Sequence, residues 1–334
     1  MAQFTTEVFQ NEFLPDGGTD VHAIVRVTCS GAGKAGIGGG TGGGEAAEIL
    51  IVDTSGSMGA NGIMQGRYAA TVALNEITDG TWFAIIAGNH VGTLVYPAFG
   101  ATQMVRMDPR TRQEAIASIQ QFRADGGTAM GTWLTKAKEV FLTVPHVVQR
   151  HAILLTDGTN EHETPDQLTW AIQGATGFFQ CDVRGLGDRW QIDEARRIAS
   201  ALLGTVDLIP SPERMADEFE KLIRASMARG VASVDLRVWA PQGAQVLFVK
   251  QVAPNLEDIT AKRSQVNPLT AAFPTGAWAD ETRDYHVAVR LPAKSLGQEQ
   301  LASRVQLVVR DEVQAQALVK ATWSNDEALT TRID

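Results

Sequence analysis

The stretch EILIVDTSGSM, residues 48–58, decides the fold. Its first six residues form a short apolar run of the kind found in a strand that is buried on both faces of a sheet. The run ends in Asp53, and Ser55 and Ser57 follow directly. The stretch therefore predicts a central strand whose carboxyl end opens into a loop of oxygen-bearing side chains.

Strands and helices alternate after this stretch. Buried strands are predicted at 48–53, 82–88, 151–157, 178–187 and 205–209, and helices at about 63–78, 108–122, 131–142, 165–175, 192–203 and 212–228. The segment 92–99 follows its predecessor too closely for a crossover helix, so we expect it to pair antiparallel. This order predicts a doubly wound, Rossmann-like α/β domain over residues 46–229, with a mostly parallel sheet and one antiparallel edge.

At both ends of the chain, apolar residues recur with the two-residue period of exposed strands. Residues 4–14 and 20–29 alternate between apolar and polar side chains, and so do about five or six runs within 231–325. The two N-terminal runs have no core of their own, so we expect them to join the C-terminal runs in one antiparallel β-sandwich. The predicted boundaries are 1–29 and 230–334 for the sandwich, 46–229 for the α/β domain and 30–45 for a glycine-rich linker.

Composition excludes several classes of protein. The chain has 334 residues, a net charge of −9 and two cysteines. The acidic balance argues against nucleic acid and anionic membranes as partners, and the cysteine count excludes a disulfide scaffold. Cys29 and Cys181 lie in apolar runs, so we expect buried, reduced thiols. Because no stretch resembles a signal peptide or a membrane span, we expect a cytoplasmic protein.

Three segments place oxygen donors where such a sheet binds ligands. Ligands of open α/β sheets lie outside the carboxyl ends of the strands. The donors are Asp53, Ser55 and Ser57 after the first strand, Thr128 before a helix, and Asp157 at the end of the strand 151–157. Carboxylates and hydroxyls without sulfur or imidazole suit Mg²⁺, Ca²⁺ or Mn²⁺ and fit zinc and copper poorly. The competing interpretations are a helix N-cap for Thr128 and simple turns for the other two segments.

Together, Asp53-x-Ser55-x-Ser57, the later Gly-Gly-Thr128 and Thr156-Asp157-Gly158 resemble the metal-ion-dependent adhesion site of von Willebrand factor A domains. The resemblance covers roughly residues 46–229. It implies that the two serines and Thr128 bind the metal directly or through water, while the two aspartates act largely through water or accept hydrogen bonds from the groups that bind the metal. It further implies that a carboxylate of a protein partner completes the coordination. All five positions match, so we expect an intact site for Mg²⁺, with Ca²⁺ or Mn²⁺ as alternatives.

The resemblance implies a metal-dependent protein-interaction module. Residues 276–292 also resemble the sandwich part of bacterial cytoplasmic proteins of this type, which favours a signalling or stress complex. Two alternatives stay open: a non-catalytic regulatory partner of an AAA+ ATPase, as in MoxR-like and chelatase systems, and an extracellular adhesin. We expect no enzyme, because neither a G-x-S-x-G nucleophile nor a general base accompanies the site. The oligomeric state stays open.

Residues near the predicted site in sequence are candidates for its rim. Met58, Asn160 and Glu161 are the predicted contacts with a partner, and a solvated loop is the alternative for the segment 160–163. The histidines His146, His151 and His162 are interpreted as surface or strand-end residues.

Overall fold

The chain folds as two units, one from its middle and one from its two ends. Gly33–Ala232 form the first unit, and Met1–Ala32 together with Ser233–Asp334 form the second. The computed structural model describes residues 2–32, 45–98, 103–157, 160–186, 192–209 and 212–332. Most of the predicted glycine-rich linker, residues 33–44, lies outside the described residues.

The secondary-structure elements are numbered in chain order. The first three strands are β1 (Gln3–Phe9), β2 (Phe13–Leu14) and β3 (Asp20–Ser30). The strands of the middle unit are β4 (Ala46–Asp53), β5 (Trp82–Gly88), β6 (Gly92–Tyr96), β7 (Val105–Arg106), β8 (Gln149–Thr156), β9 (Gln180–Leu186) and β10 (Val206–Ile209). Its helices are α1 (Gly59–Glu76), α2 (Pro109–Ile119), α3 (Met130–Phe141), α4 (Pro165–Ala175), α5 (Ile192–Ala201) and α6 (Pro212–Met227).

One mixed sheet organises the middle unit. Its order is β10-β9-β8-β4-β5-β6, and β7 pairs with β5. All pairs from β10 to β5 are parallel, whereas β6 and β7 run antiparallel to β5. The predicted α/β fold is therefore confirmed, including the antiparallel edge, which follows from a connection too short for a helix.

Strand β4 lies at the centre of this sheet, and all eight of its residues are buried. Ile49 and Ile51 belong to one hydrophobic core, and Leu50 and Val52 belong to the other, because successive side chains of a strand point to opposite faces. Helices α3, α4 and α5 contribute to the first core, and α1, α2 and α6 contribute to the second. The sheet is therefore covered by helices on both faces.

The helices begin where the sequence supplies caps. Asp108 caps α2 and Thr164 caps α4; each side chain accepts a hydrogen bond from the third helical residue, and a proline follows each cap. Helix α1 starts four residues earlier than predicted, after a short 3-10 turn at Gly56–Met58. Ile77, which lies within the predicted range 63–78, follows the helix as its C-cap.

The second unit contains two further sheets. Its remaining strands are β11 (Val231–Trp239), β12 (Gln245–Ala253), β13 (Glu257–Asp258), β14 (Ser264–Asn267), β15 (Thr270–Trp278), β16 (Glu281–Arg290), β17 (Glu299–Val309) and β18 (Glu312–Trp323), and a short helix α7 (Glu327–Thr330) follows. One sheet has the order β1-β3-β16-β12-β13, and the other has the order β14-β15-β11-β17-β18-β2. Strand β3 pairs with β16 over ten residues, from Cys29 opposite Glu281 to Asp20 opposite Arg290.

The single strand predicted at 4–14 is wrong in one respect, because the chain leaves one sheet and enters the other within it. β1 pairs antiparallel with β3, whereas β2 pairs parallel with β18. Asn11 lies between them; its side chain accepts a hydrogen bond from the Phe13 N–H and donates to the carbonyls of Leu329 and Thr330. These contacts with the last turn of the chain fix the break, and an alternating pattern cannot reveal them.

Aromatic rings from the two sheets meet in the core of this unit. The Phe4 ring on β1 packs edge-on against Trp278 on β15 with 5.6 Å between centroids, and Tyr285 on β16 is buried beside Trp278. Cys29 is a buried free thiol in this unit, and burial raises its pKa to about 11; Cys181 is a buried free thiol in the other unit. Both thiols agree with the prediction. Among the described residues, no helix is long and apolar enough to cross a membrane.

Candidate metal site

Hydrogen bonds between main-chain groups join the loops at the carboxyl edge of the α/β sheet. The Thr54 N–H donates to the Gly88 carbonyl at 2.7 Å, which ties the loop after β4 to the end of β5. The Gly56 N–H donates to Gly126, and the Asp125 N–H donates to Thr54, at 2.8 and 2.9 Å. The loop that carries the two serines is therefore fixed against the loop that carries Thr128.

Asp53 is the most deeply buried of the predicted site residues. One carboxylate oxygen accepts a hydrogen bond from the Ser55 N–H at 2.8 Å, and the other accepts one from the Thr156 hydroxyl at 2.6 Å. Burial raises the pKa of Asp53 to about 6, although these hydrogen bonds oppose the shift. The carboxylate is thus oriented by two donors, and a nearby positive charge would stabilise it.

The serines connect Asp53 to Asp157. The Ser55 and Ser57 hydroxyl oxygens lie 3.0 Å apart, and the Ser57 hydroxyl donates to Asp157 Oδ1 at 3.0 Å. Burial also raises the pKa of Asp157. Four of the five predicted site residues therefore lie in one hydrogen-bonded chain at the sheet edge.

Thr128 lies on the neighbouring loop and is buried. The N-cap interpretation of Thr128 is wrong, because Ala129 occupies the N-cap position of α3. The first N–H groups of this helix are instead bound from another loop: Asn160 Oδ1 accepts from Met130 at 2.9 Å, and Glu163 Oε1 accepts from Gly131 at 2.8 Å. The helix thus does not use the Thr128 side chain as its cap.

His162 holds the backbone of Thr128 from the same loop. Its N–H donates to the Thr128 carbonyl at 2.9 Å, and its Nδ1 accepts from the Thr128 N–H at 3.3 Å. His162 is exposed, which agrees with its interpretation as a surface residue, but that interpretation did not include its contact with the Thr128 loop. The sequence offers one signal for this contact, which is that His162 follows Asp157 by five residues. The Thr128 loop that His162 contacts is distant in the chain, so the contact itself is not visible in the sequence.

Gly126 and Gly127 allow this close approach. A Cβ atom at Gly126 would lie 2.5 Å from His90 Nδ1, and one at Gly127 would lie 2.0 Å from His162 Nδ1. Gly126 also has a positive φ of 71°, which side chains disfavour. The glycine pair before Thr128 is therefore required by the packing of two imidazoles around the loop.

The predicted rim residues divide into three cases. Met58 is 4% exposed and belongs to the hydrophobic core below the loop, so its predicted place on the rim is wrong. The 3-10 turn carries its side chain inward, where it lies against Gly62 and Gly66 of α1. Asn160 is half-buried and binds α3, as described above, and Glu161 is exposed.

The donor set can be tested against the chemistry of the expected ion. Asp53 and Asp157 have amide and hydroxyl partners, and hydroxyl oxygens lie beside both carboxylates. Such oxygen groups are ligands of a hard divalent cation, so the residues present fit Mg²⁺. Among the described residues, no cluster of three or more imidazole, thiol and carboxylate groups is placed to hold a metal. This site would depend on hydroxyls instead.

A second buried polar cluster lies at the amino edge of the same sheet. His151 Nδ1 lies 2.7 Å from Glu48 Oε2, and His151 Nε2 lies 2.8 Å from Asp182 Oδ2. All three side chains are at most 2% exposed. Since both ring nitrogens face carboxylates, both donate protons and the ring is an imidazolium. His151 is therefore buried, and its interpretation as a surface residue is wrong.

The His151 imidazolium offsets one of the two carboxylate charges of this cluster, and Arg184 and Arg229 add positive charge near Asp182. Burial lowers the pKa of His151, but the charge of Glu48 and the hydrogen bonds of both carboxylates outweigh it and raise the pKa to about 9. Burial opposes the ionisation of Asp182, but the His151 imidazolium holds its pKa well below the usual range. Ser226 on α6 adds a hydroxyl that donates to Glu48 Oε1 at 2.5 Å. The cluster ties three strands to the last helix of the unit.

Comparisons with known proteins identify the fold family. The family model for the von Willebrand factor type A domain matches residues 47–208. A solved von Willebrand factor type A structure from Catenulispora acidiphila has a TM-score of 0.92 and 43% identity, covering 99% of this chain and 76% of that one. The ArnB paralog VWA2 from Sulfolobus acidocaldarius shares the fold, with a TM-score of 0.60 and 15% identity over 100% of this chain and 79% of its own.

A curated sequence relative is the uncharacterized protein sll0103 of Synechocystis sp., which is 27% identical over 218 residues. The match covers 64% of this chain, and the chain spans half the length of that relative. The family model, the 43% identity to a solved member and the α/β sheet described above agree. The chain therefore belongs to the von Willebrand factor type A domain family, whose domain commonly mediates protein–protein interaction.

Proposed function

We propose that the α/β unit binds a divalent cation at Asp53, Ser55, Ser57, Thr128 and Asp157 and uses it to hold an acidic group of a protein partner. The observation that carries the proposal is the hydrogen-bonded chain from Asp53 through the two serines to Asp157. The proposed ion is Mg²⁺, with Ca²⁺ or Mn²⁺ as alternatives.

Each side chain has a proposed role. Ser55, Ser57 and Thr128 would hold the ion through neutral hydroxyls, and Asp53 and Asp157 would act largely through water. When bound, the ion supplies a positive charge that the neutral hydroxyls leave available for a partner's carboxylate. Thr156 orients Asp53, since its hydroxyl donates to Oδ2 at 2.6 Å. Glu161 keeps a place on the proposed rim because it is exposed and follows Asp157 by four residues.

We also propose that the protein is not an enzyme. His151 lies within hydrogen-bond reach of both Ser226 and Asp182, which invites comparison with a hydrolytic triad. However, both ring nitrogens of His151 donate to carboxylates, so the ring has no lone pair with which to deprotonate Ser226. Ser226 is also fully buried and therefore inaccessible to a substrate.

The first experiment tests the ion. Calorimetric unfolding of the whole chain should give a higher Tm with Mg²⁺ than with EDTA, because a ligand of the folded state stabilises it by about 2.7 kcal/mol at a hundred times its Kd. Asp53→Ala should remove this response. Asp193→Asn is the matched control, since this exposed aspartate lies on α5. A wild type that ignores Mg²⁺, Ca²⁺ and Mn²⁺ alike would contradict the metal site.

The second experiment tests the partner. Proteins retained by the immobilised chain in Mg²⁺ should be released by EDTA, and Ser57→Ala should retain none of them. A partner held equally well in EDTA would refute a cation-mediated contact. The proposed setting is a cytoplasmic signalling or stress complex of bacteria, and the two buried free thiols support a reducing compartment. Retention of an AAA+ ATPase would instead favour a regulatory role beside that motor.

A further inference from the structure

A ladder of paired polar side chains crosses one face of strands β3 and β16. Arg290 binds both carboxylate oxygens of Asp20 at 2.7 Å, and Arg26 binds both oxygens of Asp284 at 2.9 and 3.0 Å. Between these two ion pairs lie His22 and His286, whose side chains meet each other. The ladder thus consists of two compensated ion pairs and, between them, two imidazoles.

The two imidazoles are close to each other, and an aromatic ring packs against one of them. His22 Nδ1 lies 3.1 Å from His286 Nε2, and the ring centroids are 5.2 Å apart. The Phe248 ring on β12 packs edge-on against His286 with 4.8 Å between centroids, which limits the rotation of that ring. His22 opposes Ala288 and His286 opposes Ile24 in the strand register, so the backbone beneath the pair is fixed by continuous pairing.

The separation of the two nitrogens is that of two ligands on one metal ion. Nitrogens at about 2.0–2.1 Å from one ion lie ~2.8–3.4 Å apart, depending on whether the angle between them is octahedral or tetrahedral. We propose that His22 and His286 form a second metal site, distinct from the cation site of the α/β unit, that binds an imidazole-preferring ion of the class of Zn²⁺, Ni²⁺ or Cu²⁺ with water as the remaining ligands.

The charged side chains around this site are paired with one another. The carboxylates of Asp20 and Asp284 are already paired with arginine, so the histidines provide the protein ligands. Lys250 opposes His286 in the register and brings a positive charge, which Asp258 partly compensates at 3.5 Å.

The test titrates Ni²⁺ into the whole, untagged chain with Mg²⁺ in excess, so that the α/β site is occupied by the harder ion. Calorimetry should detect one Ni²⁺ per chain in the wild type, and both His22→Ala and His286→Ala should lose it. His146→Ala is the matched control, because His146 is an exposed histidine of the other unit and should leave the titration unchanged. With Cu²⁺ as the probe, the paramagnetic resonance spectrum should show two nitrogen ligands.

Three results would overturn the proposal. The first is a wild type that binds no Ni²⁺ under these conditions, which would leave the histidines as a hydrogen-bonded pair alone. The second is Ni²⁺ binding that survives both substitutions. The third is loss in one variant only, which would indicate a single imidazole acting with other groups. The same titration in an Asp53→Ala background, which lacks the proposed α/β site, separates Ni²⁺ held at the histidines from Ni²⁺ held at that site, so the two proposed sites can fail separately.

Discussion

The two edges of the α/β sheet hold their acidic residues in opposite ways. At the amino edge, Glu48 and Asp182 are buried against the His151 imidazolium, and Arg184 and Arg229 lie near Asp182, so the chain itself supplies positive charge. At the carboxyl edge, Asp53 and Asp157 are bound by hydroxyls and a backbone N–H, which orient the carboxylates without neutralising them. Strand β4 carries an acid of each kind, five residues apart.

The difference shows that the partners of a buried carboxylate, and the direction of its pKa shift, distinguish a stabilising role from a binding role. An acid with an internal cation is compensated, and its pKa falls, as that of Asp182 does. An acid held by neutral donors has its pKa raised by burial, as that of Asp53 does, and it gains from a positive charge supplied from outside. The amino edge therefore contributes to stability, and the carboxyl edge is where we propose binding.

The largest expected effect comes from removing the internal cation. His151→Ala would leave Glu48 and Asp182 buried without their partner, and removing one member of a buried ion pair costs about 3–5 kcal/mol. Urea unfolding of the whole chain measures this loss. His146→Ala, at an exposed histidine, should change the stability by less than about 0.5 kcal/mol. Equal effects of the two substitutions would show that the amino-edge cluster is not a stabilising one.

The second effect is a dependence on pH. The pKa of His151 is raised from 6.5 to about 9, so its contribution is complete below pH 6.5 and is lost as the pH rises through 9. The full contribution is about 3 kcal/mol. Unfolding free energies measured from pH 6 to 10 should fall accordingly. In nuclear magnetic resonance, the His151 ring signals should not move between pH 5 and 8, and a titration near 6.5 would contradict the imidazolium.

The third effect has the opposite sign to the first. Asp53→Asn removes a charge that burial disfavours, while its amide oxygen can still accept the Ser55 N–H. The folded-state pKa of about 6 means that this charge opposes folding at pH 7, so without added cation the variant should be more stable by about 1–3 kcal/mol. It should also lose the response to Mg²⁺. A variant destabilised in EDTA would show that Asp53 is a structural acid like Asp182.

The smallest effect distinguishes a side chain that positions the metal site from one that only caps a helix. Asn160→Ala frees the Met130 N–H, which should cost about 1 kcal/mol, and it loosens the Thr128 loop, which should weaken Mg²⁺ binding about tenfold. Gln167→Ala removes the corresponding side-chain bond at the start of α4, where Gln167 accepts from the Thr164 N–H. It should lower stability and leave the Mg²⁺ affinity unchanged in calorimetric titrations. A matching loss of affinity in both variants would contradict the positioning role.

The parts of the structure that depend on residues close together in the chain could be predicted from the sequence. The apolar run before Asp53, the short connection before β6 and the caps of α2 and α4 are local signals, and each gives an element that the structure contains. The grouping of Asp53, Ser55, Ser57 and Asp157 follows from one further rule, that parallel strands end at the same edge.

The remaining features depend on contacts between distant residues. In the sequence, Glu48 is only a charged residue within an apolar run. The ion pair becomes visible only in the strand register, which places Glu48 opposite His151. Thr128 resembles an N-cap locally, but a loop more than thirty residues away binds the start of α3 instead. Met58 follows a polar loop, and a single 3-10 turn directs it into the core.

The pairing of β3 with β16 has a consequence for how the protein is made. β3 is synthesised about 250 residues before β16, the strand with which it pairs. At ~5–20 residues per second, the ribosome takes about 13–50 s to reach β16. During this time the α/β unit is completed, while the edges of β1 and β3 offer unpaired backbone groups to other chains. Yield in the cell should therefore depend on how well the nascent N-terminal hairpin is shielded until the last strands emerge.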